Sequence, residues 1–473
     1  MTNRACLLAA PILAVALAAP AGAKEYSHQQ YFEHYEGTRT CLSCHEKEAT
    51  TFFHSQHYQW KAPAAKLVNA RGMQLGKINM INDYCTNPVP NWIGKVSNER
   101  GDVLAAGCSK CHAGLGKLPS EKISREQLEN IDCLICHASG YQRDVYQNAD
   151  GSWEWRPVLW KNREGLDSVS KRIGAPTRTT CLRCHAGSGG GPNFKRGDIE
   201  YVLANPPRDY DVHMATEGTN LQCVDCHAGA EHKIPGGGTD LAGTEVPETM
   251  NGCDSKACHG PAPHPAEVLN LHARRVACTT CHVTDFARTD ATNVDRDWSE
   301  TLRDEEKAKF TYRSRTEAGV RPAYAWFNGS VYMQLPREKV RRNAAGEIEM
   351  AVPQGTRAEP GAKIQAFKLY RATMPVLGGK EWILPITTEE YYRHGDMNRA
   401  VREAAEIFYG IHEAEFSWAR TIRYQGIFHG VQPSEKALSC LDCHGRNGRL
   451  DWKALGYASD PVLARMAAQR STK

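Results

Sequence analysis

Cysteine and histidine recur along this chain in one fixed arrangement, Cys-x-x-Cys-His. It occurs seven times, at Cys41-Cys44-His45, Cys108-Cys111-His112, Cys133-Cys136-His137, Cys181-Cys184-His185, Cys223-Cys226-His227, Cys278-Cys281-His282 and Cys440-Cys443-His444. Two thiols at this spacing can add across the two vinyl groups of a porphyrin, and the adjacent histidine then reaches the iron on one face. Zinc sites call for Cys-x-x-Cys pairs matched in fours, without a histidine after every pair. Dithiol redox chemistry calls for one such motif. An eighth attachment site is expected at Cys253-Asp-Ser-Lys-Ala-Cys258-His259, where a longer loop keeps the Cys-His dipeptide; the alternative is a disulfide. The expected cofactor is therefore eight covalently bound haem c groups. The chain holds 18 cysteines. Sixteen are consumed in this way, Cys6 lies in the N-terminal segment, and Cys85 is left over as an odd thiol.

Histidine supplies the other face. Of 19 histidines, eight follow the cysteine motifs and are the expected proximal ligands. An electron-carrying haem needs a second strong ligand, and neutral imidazole is suitable. The candidate distal ligands are His54, His57, His213, His232, His264, His272 and His429. His54 and His57 are three residues apart and would share a helix face. Each candidate has the alternative of a surface or hydrogen-bonding role. His28 and His34 lie near the expected mature terminus, and His394 and His412 on an expected helix.

The elements that must hold these groups are short at first and broken by Gly/Pro loops such as 187–192 and 235–238. The motif intervals are irregular, which excludes a solenoid. Between His282 and Cys440 the chain carries no motif. Residues 298–309 read as a charged helix, 320–370 as turns with alternating residues, and 387–423 as a long amphipathic helix. Hydrophobic residues make up 41% and mean hydropathy is −0.54, so aliphatic side chains alone are too few for a large core. The expected fold is mainly α with extensive loops, a multihaem cytochrome c packed around eight haems, with a small β segment in the C-terminal third. Residues 24–290 form the haem-rich region and 291–473 an accessory region, in one compact unit.

Arg4, the apolar run 7–19 and Ala21-Gly22-Ala23 read as an export signal, residues 1–23, cleaved near Ala23. The run is too short for a stable membrane span. The expected location is the periplasm, with no membrane span. The formal charge of +4 is set against the haem propionates, so the basic residues are assigned to pairing with propionate and not to nucleic acid.

Several stretches resemble the octahaem tetrathionate reductase family of c-type cytochromes. They are Cys41–His45, Phe53-His54-Ser-Gln-His57-Tyr-Gln-Trp60, Asn82–Cys85, Cys111–Lys117, Glu129–Cys133, Gly187–Asn193, Lys195-Arg-Gly-Asp198 and Asp211-Val-His213-Met214. The resemblance implies a periplasmic enzyme in which the second haem is unusual: His112 on one face, a lysine amine on the other, a cysteine nearby. Carried over, these are Lys195 and Cys85, with Lys117 and Lys233 as further candidates for the lysine. It also implies two-electron reduction of tetrathionate to thiosulfate, with nitrite and hydroxylamine as other substrates, and a periplasmic or membrane-bound electron donor. A lysine must be neutral to bind iron, so desolvation and the metal must lower its pKa. The alternative to an enzyme is a multihaem electron wire without substrate chemistry.

Overall fold

A computed structural model describes residues 25–84, 92–93, 95–105, 107–158, 164–188, 191–236 and 243–471. The expected signal segment and Cys85 lie outside them.

Two kinds of architecture meet. Up to His282 the chain consists of short helices, two-stranded hairpins and turns. The longest helix there, Thr38–Phe53, is kinked at His45, the last residue of the first motif. Its hydrophobic clusters are small, for example Leu42, Phe53, Tyr58, Leu128 and Ile131. Beyond Thr292 a seven-stranded sheet takes over. Its strands are Thr292–Asp304 (β1), Lys309–Glu317 (β2), Ala323–Phe327 (β3), Val331–Met333 (β4), Ile348–Pro353 (β5), Lys363–Leu377 (β6) and Phe416–Gly426 (β7). The order is β2-β1-β6-β7-β5-β4, with β3 pairing the first half of β6. The β1–β6 and β5–β7 pairs are parallel; the rest are antiparallel.

The main apolar core lies on this sheet. Trp298, Ile348, Met350, Tyr370 and Met374 pack against Tyr391, Ala400, Val401 and Ala405 from two helices, Thr388–His394 and Met397–Tyr409. The second helix buries Met397, Ala400, Val401, Ala404, Ala405 and Tyr409, the spacing of a single face.

Three expectations are corrected. Helix and strand are nearly equal, 25% and 23%, so the fold is not mainly α, and the β segment is large. Residues 298–309 are not a helix but the end of β1 and the turn into β2. Their Glu/Lys content favours helix only weakly. Burial of Trp298 against Tyr312, with ring centres 4.4 Å apart, and the Asp297–Arg313 pair at 3.1 Å outweigh it. The long helix expected over 387–423 is two helices and a strand. Gly395 and Gly410 take left-handed conformations (φ 71° and 68°) that end the two helices, and Asp396 between them caps the second by accepting from Arg399 N at 2.9 Å.

Candidate functional site

The cysteine motifs sit on single helical turns. Leu134–His137, Arg178–His185, Cys223–Cys226, Cys278–His282 and Cys440–Cys443 are helices, and Cys108–Lys110 is a 3-10 turn. One turn places residues i and i+3 on the same side. Side-chain caps start several of them: Thr177 and Thr180 bond reciprocally at one, Ser439 and Asp442 at another. The Cys253–His259 loop has no helix, but it closes through His259 N donating to Cys253 O at 3.2 Å. Cys253 and Cys258 are not joined by a disulfide.

Seven motif histidines each face one other histidine. The ring centres are separated by 6.2 Å in His28–His45, 6.2 Å in His57–His185, 6.4 Å in His137–His232 and 5.9 Å in His213–His259. They are 6.2 Å apart in His227–His429, His264–His282 and His272–His444. These gaps suit an iron held between two imidazole nitrogens, each about 2 Å from the metal, which sets ring centres about 6 Å apart. The residues therefore fit the group that the motifs call for.

The ring tautomers agree. His137 Nδ1 donates to Gly174 O at 2.8 Å, His227 Nδ1 to Pro235 O at 2.8 Å and His272 Nδ1 to Val268 O at 2.7 Å. His444 Nδ1 donates to Asp460 at 2.9 Å and His429 Nδ1 to Asp198 at 3.0 Å. An oxygen that can only accept forces the proton onto Nδ1 and leaves the Nε2 lone pair for a metal. Burial pushes His185 down to about 3 and lowers His57, His213, His227, His232 and His282, so neutral rings prevail. At His429 burial acts the same way, but the Asp198 bond outweighs it and the pKa is raised.

His54 is not brought to any motif histidine. It is exposed, and its ring packs edge-on against Phe53, 5.0 Å away. The first helix ends at Phe53 and a separate turn, Gln56–Gln59, begins after extended Ser55, so His54 and His57 do not share a helix face. His28, passed over in the sequence because of its position near the terminus, takes up the first pair. The strand Glu25–Ser27 pairs with Arg172–Gly174 and ties that terminus down.

The second motif differs. His112 is fully buried, and the aromatic rings near it are Tyr58, Trp60 and Trp92, at 5.0, 5.6 and 4.8 Å. Its Nε2 donates to Tyr58 O at 2.7 Å, and its buried Nδ1 has no hydrogen-bond partner. Burial pushes its pKa down to about 3. In this orientation Nδ1 carries the lone pair; ligation through Nε2 requires the ring to turn from the Tyr58 carbonyl. Arg143 clamps the loop. It pairs with buried Asp132 at 2.8 Å and donates to His112 O at 2.7 Å and Gly114 O at 2.9 Å. A Cβ on Gly114 would lie 2.7 Å from the His112 ring, so glycine permits that close approach.

Lys195 lines the same cavity as Cys108 and Cys111, with its Nζ 4.7 Å from the centre of the Tyr84 ring, next in sequence to Cys85, and it acts electrostatically on His185 of the fourth motif. Lys77 approaches from another side, 5.0 Å from the Trp60 ring, and acts on Cys111 electrostatically. Lys117 is spent on a surface ion pair with Glu126. The Lys195 and Tyr84 segments are fixed by the sheet, which the sequence did not reveal. Arg296 donates to Tyr84 O and lies 4.9 Å from the Phe194 ring. Lys368 Nζ donates to Lys195 O at 2.6 Å. Asp83 accepts from Arg423 Nε at 2.7 Å, and its carbonyl accepts from Trp298 and Tyr370.

Most motifs open onto one cavity of about 2210 Å³, well above the ~300–1,000 Å³ usual for a small-molecule site. Thiols of different motifs lie close together: Cys41 with Cys133, Cys136 near Cys184, Cys111 with Cys184, and Cys181 with Cys223. The series continues with Cys226 near Cys258, Cys253 with Cys278, and Cys281 near Cys443. Among the described residues no helix is long and apolar enough to cross a membrane.

Residues 287–447 match the family model described as bacterial cytochrome c. An uncharacterized protein of Archaeoglobus fulgidus is 37% identical over 233 residues, which is 42% of this chain and 75% of that protein. The crystal structure of octaheme cytochrome c from Shewanella oneidensis is similar with a TM-score of 0.72 and 30% identity, over 90% of this chain and 94% of that one. With a relative matched over nearly its whole length and the attachment motifs set in paired-histidine geometry, the chain belongs to the multihaem c-type cytochromes, redox proteins that carry covalently bound haem c.

Proposed function

We propose that the protein is a periplasmic reductase with eight haems, seven of which conduct electrons while the one on Cys108, Cys111 and His112 faces substrate. The observation that carries this reading is the asymmetry of the histidines. Among the described residues, seven motif histidines face a second imidazole and His112 faces none. Two strong ligands close an iron to substrate, and a site without the second imidazole is where chemistry can occur. The seven facing histidines, His28, His57, His213, His232, His264, His272 and His429, are the distal ligands of this arrangement. The thiol contacts order the sites as first, third, fourth, fifth, sixth, seventh and eighth, with the second joined to the fourth through Cys111 and Cys184.

Bound haem supplies single electrons, and the chain provides charge, protons and exclusion of water. Tetrathionate takes up two electrons, its central S–S bond breaks, and two thiosulfates leave; no proton is consumed. Lys195 is assigned as the lysine of the reaction site, with Lys77 as its competitor. As an ammonium it offsets the charge of an incoming anion. With nitrite or hydroxylamine, which do consume protons, the same group holds a proton for the departing oxygen. Cys85 is assigned to exchange at the central S–S bond: its thiolate would expel one thiosulfate and hold the rest as Cys–S–S–SO3⁻, and the two electrons would return the thiolate and release the second thiosulfate.

The test is side-by-side turnover of tetrathionate, nitrite and hydroxylamine with a reduced artificial donor, together with CO binding to the reduced protein. One CO per molecule and turnover of at least one substrate support the reductase. No CO binding and eight low-spin haems would leave an electron wire.

A further inference from the structure

The paired histidines differ in what their Nδ1 atoms bond. In the third pair both partners are neutral: His137 meets Gly174 O at 2.8 Å and His232 meets Thr51 Oγ1 at 2.9 Å. His227 and His272 likewise donate to backbone carbonyls. His444 and His429 donate to carboxylates, Asp460 at 2.9 Å and Asp198 at 3.0 Å. Glu48 approaches His45 Nδ1 only to 3.7 Å, with both side chains about half exposed.

The two carboxylates are not equivalent. Asp198 has Arg196 Nε at 3.4 Å, and its Oδ2 also accepts from Phe428 N at 2.9 Å. A cation and a further donor offset its charge. Among the described residues no lysine or arginine lies within ion-pair distance of Asp460. Its Oδ1 accepts from His444 and from Val462 N at 2.9 Å, and its buried Oδ2 has no hydrogen-bond partner.

The local sequence holds this acid in place. Asp460 precedes the helix Pro461–Ser471 and caps it twice, with Val462 N on the side chain and Ala464 N on its carbonyl at 2.9 Å. The free amides of a helix N-terminus favour the ionised carboxyl. Asp460 is 6% exposed. The preceding loop is pinned by Trp452, whose ring lies over that of His444 with centres 5.0 Å and planes 19° apart, and by Leu455, buried with Trp326 and Ile364. Charge and imidazole are therefore fixed against each other, away from solvent. A carboxylate on Nδ1–H makes the imidazole a more basic ligand at Nε2. The nearby negative charge then favours the ferric ion over the ferrous one. A carbonyl, with no net charge, does less.

We propose that Asp460 is a redox-tuning residue: it holds down the reduction potential of the haem on Cys440, Cys443 and His444, so that an electron placed at this end of the thiol series has a downhill step inward. The proposal rests on the eight-haem reading and the thiol ordering, not on the reaction assigned to the second motif.

The experiment is potentiometric titration of the holoprotein, followed optically and by electron paramagnetic resonance, in wild type and Asp460→Asn. Asparagine caps a helix about as well as aspartate, so the helix start is kept while the charge is lost. One of the eight one-electron components should move upward, its reduction equilibrium changing about tenfold, which is about 59 mV for one electron. The other seven should stay. In wild type that component should be among the last reduced. His272→Ala identifies it, because the high-spin signal of that variant belongs to the eighth haem. Adding Asp460→Asn to His272→Ala should make the signal vanish at a higher potential. Asp442→Asn is the charge control: Asp442 lies in the same motif but bonds Ser439 at the surface, and its loss should move every component less than twofold. No shift in Asp460→Asn, a downward shift, an equal shift in Asp442→Asn, or a component reduced early in wild type overturns the proposal. The haem count of the wild type is a separate result. A missing haem at Cys440 fails the eight-haem reading, and an unmoved component in a protein with eight haems fails the tuning alone. Asp460→Ser, another neutral cap, repeats the measurement if Asp460→Asn loses haem.

Discussion

Arg423 Nε lies 2.7 Å from Asp83 Oδ1, and both side chains are shut off from solvent. This pair ties the segment ahead of Cys85 to strand β7. Thr421 Oγ1 donates to the other carboxylate oxygen at 3.1 Å. Removing one member strands a buried charge, which costs about 3–5 kcal/mol. Arg423→Gln should therefore destabilise the holoprotein by that order, read as a lower denaturant midpoint, and slow turnover through misplacement of Tyr84. A variant that keeps both the midpoint and the rate would show that the pair does not position the site.

The histidine pairs make a set of single-haem predictions. His272→Ala opens one iron, and the ferric protein should gain one high-spin signal in electron paramagnetic resonance. His28→Ala should do the same. His54→Ala should leave all spectra unchanged, because its ring meets Phe53 and no motif histidine. A high-spin signal in His54→Ala would reverse the assignment of His57 and His54.

Lys195 and Lys77 compete for one role, and substitution separates them. Lys195→Ala should change the spectrum of one haem only and cut turnover of every substrate by about tenfold or more. Lys77→Ala should move the spectrum little. The reverse pattern would transfer the role to Lys77. Cys85→Ser should slow tetrathionate selectively, and an equal loss with nitrite would remove the thiol-exchange role.

Arg143 holds the second motif by its backbone, so Arg143→Ala should loosen that haem before the others. It leaves Asp132 buried and unpaired, a loss of about 3–5 kcal/mol. Arg143→Lys keeps the charge but not the fork that reaches both His112 O and Gly114 O, and should recover only part of the loss. The measurement is the denaturant midpoint read at the Soret band. Full recovery by lysine would mean that charge alone matters.

Acid stability has an identifiable contributor on the sheet. Glu347 is partly buried, which raises its pKa, but Arg371 at 2.6 Å and Asn343 at 3.0 Å outweigh burial and hold it below the usual value. A depressed carboxyl gives stability above its unfolded pKa, about 4.3, and loses it as pH falls through the lower folded value. Wild type should lose more stability than Glu347→Gln between pH 5 and 3, about the range of that transition. Equal losses in urea titrations at the two pH values would exclude Glu347.

The attachment cysteines were legible in the sequence because their chemistry is local: two thiols and an imidazole within a few residues. The facing histidines were legible only as a pool. Which one meets which motif is set by tertiary packing, as His28 and His54 show; a terminal position argued against the first, and a helix face shared with His57 argued for the second. The sheet was the largest miss. Residues 298–309 and 387–423 have helix-forming composition, and only the partners of Trp298, Asp297 and Tyr370 make them strands and interrupted helices. The residues that hold Lys195 and Tyr84 in place, Arg296, Lys368 and Arg423, carry no motif at all. They are read only once β1, β6 and β7 lie side by side.

The meeting of Cys111 with Cys184 has a consequence for traffic. In the proposed ordering the second haem is a siding off the fourth and not a link in the main line. Charge can run the length of the molecule while substrate is absent, and a pair of electrons can be called from two directions at once when it arrives. A block at the siding would then stop chemistry without stopping conduction.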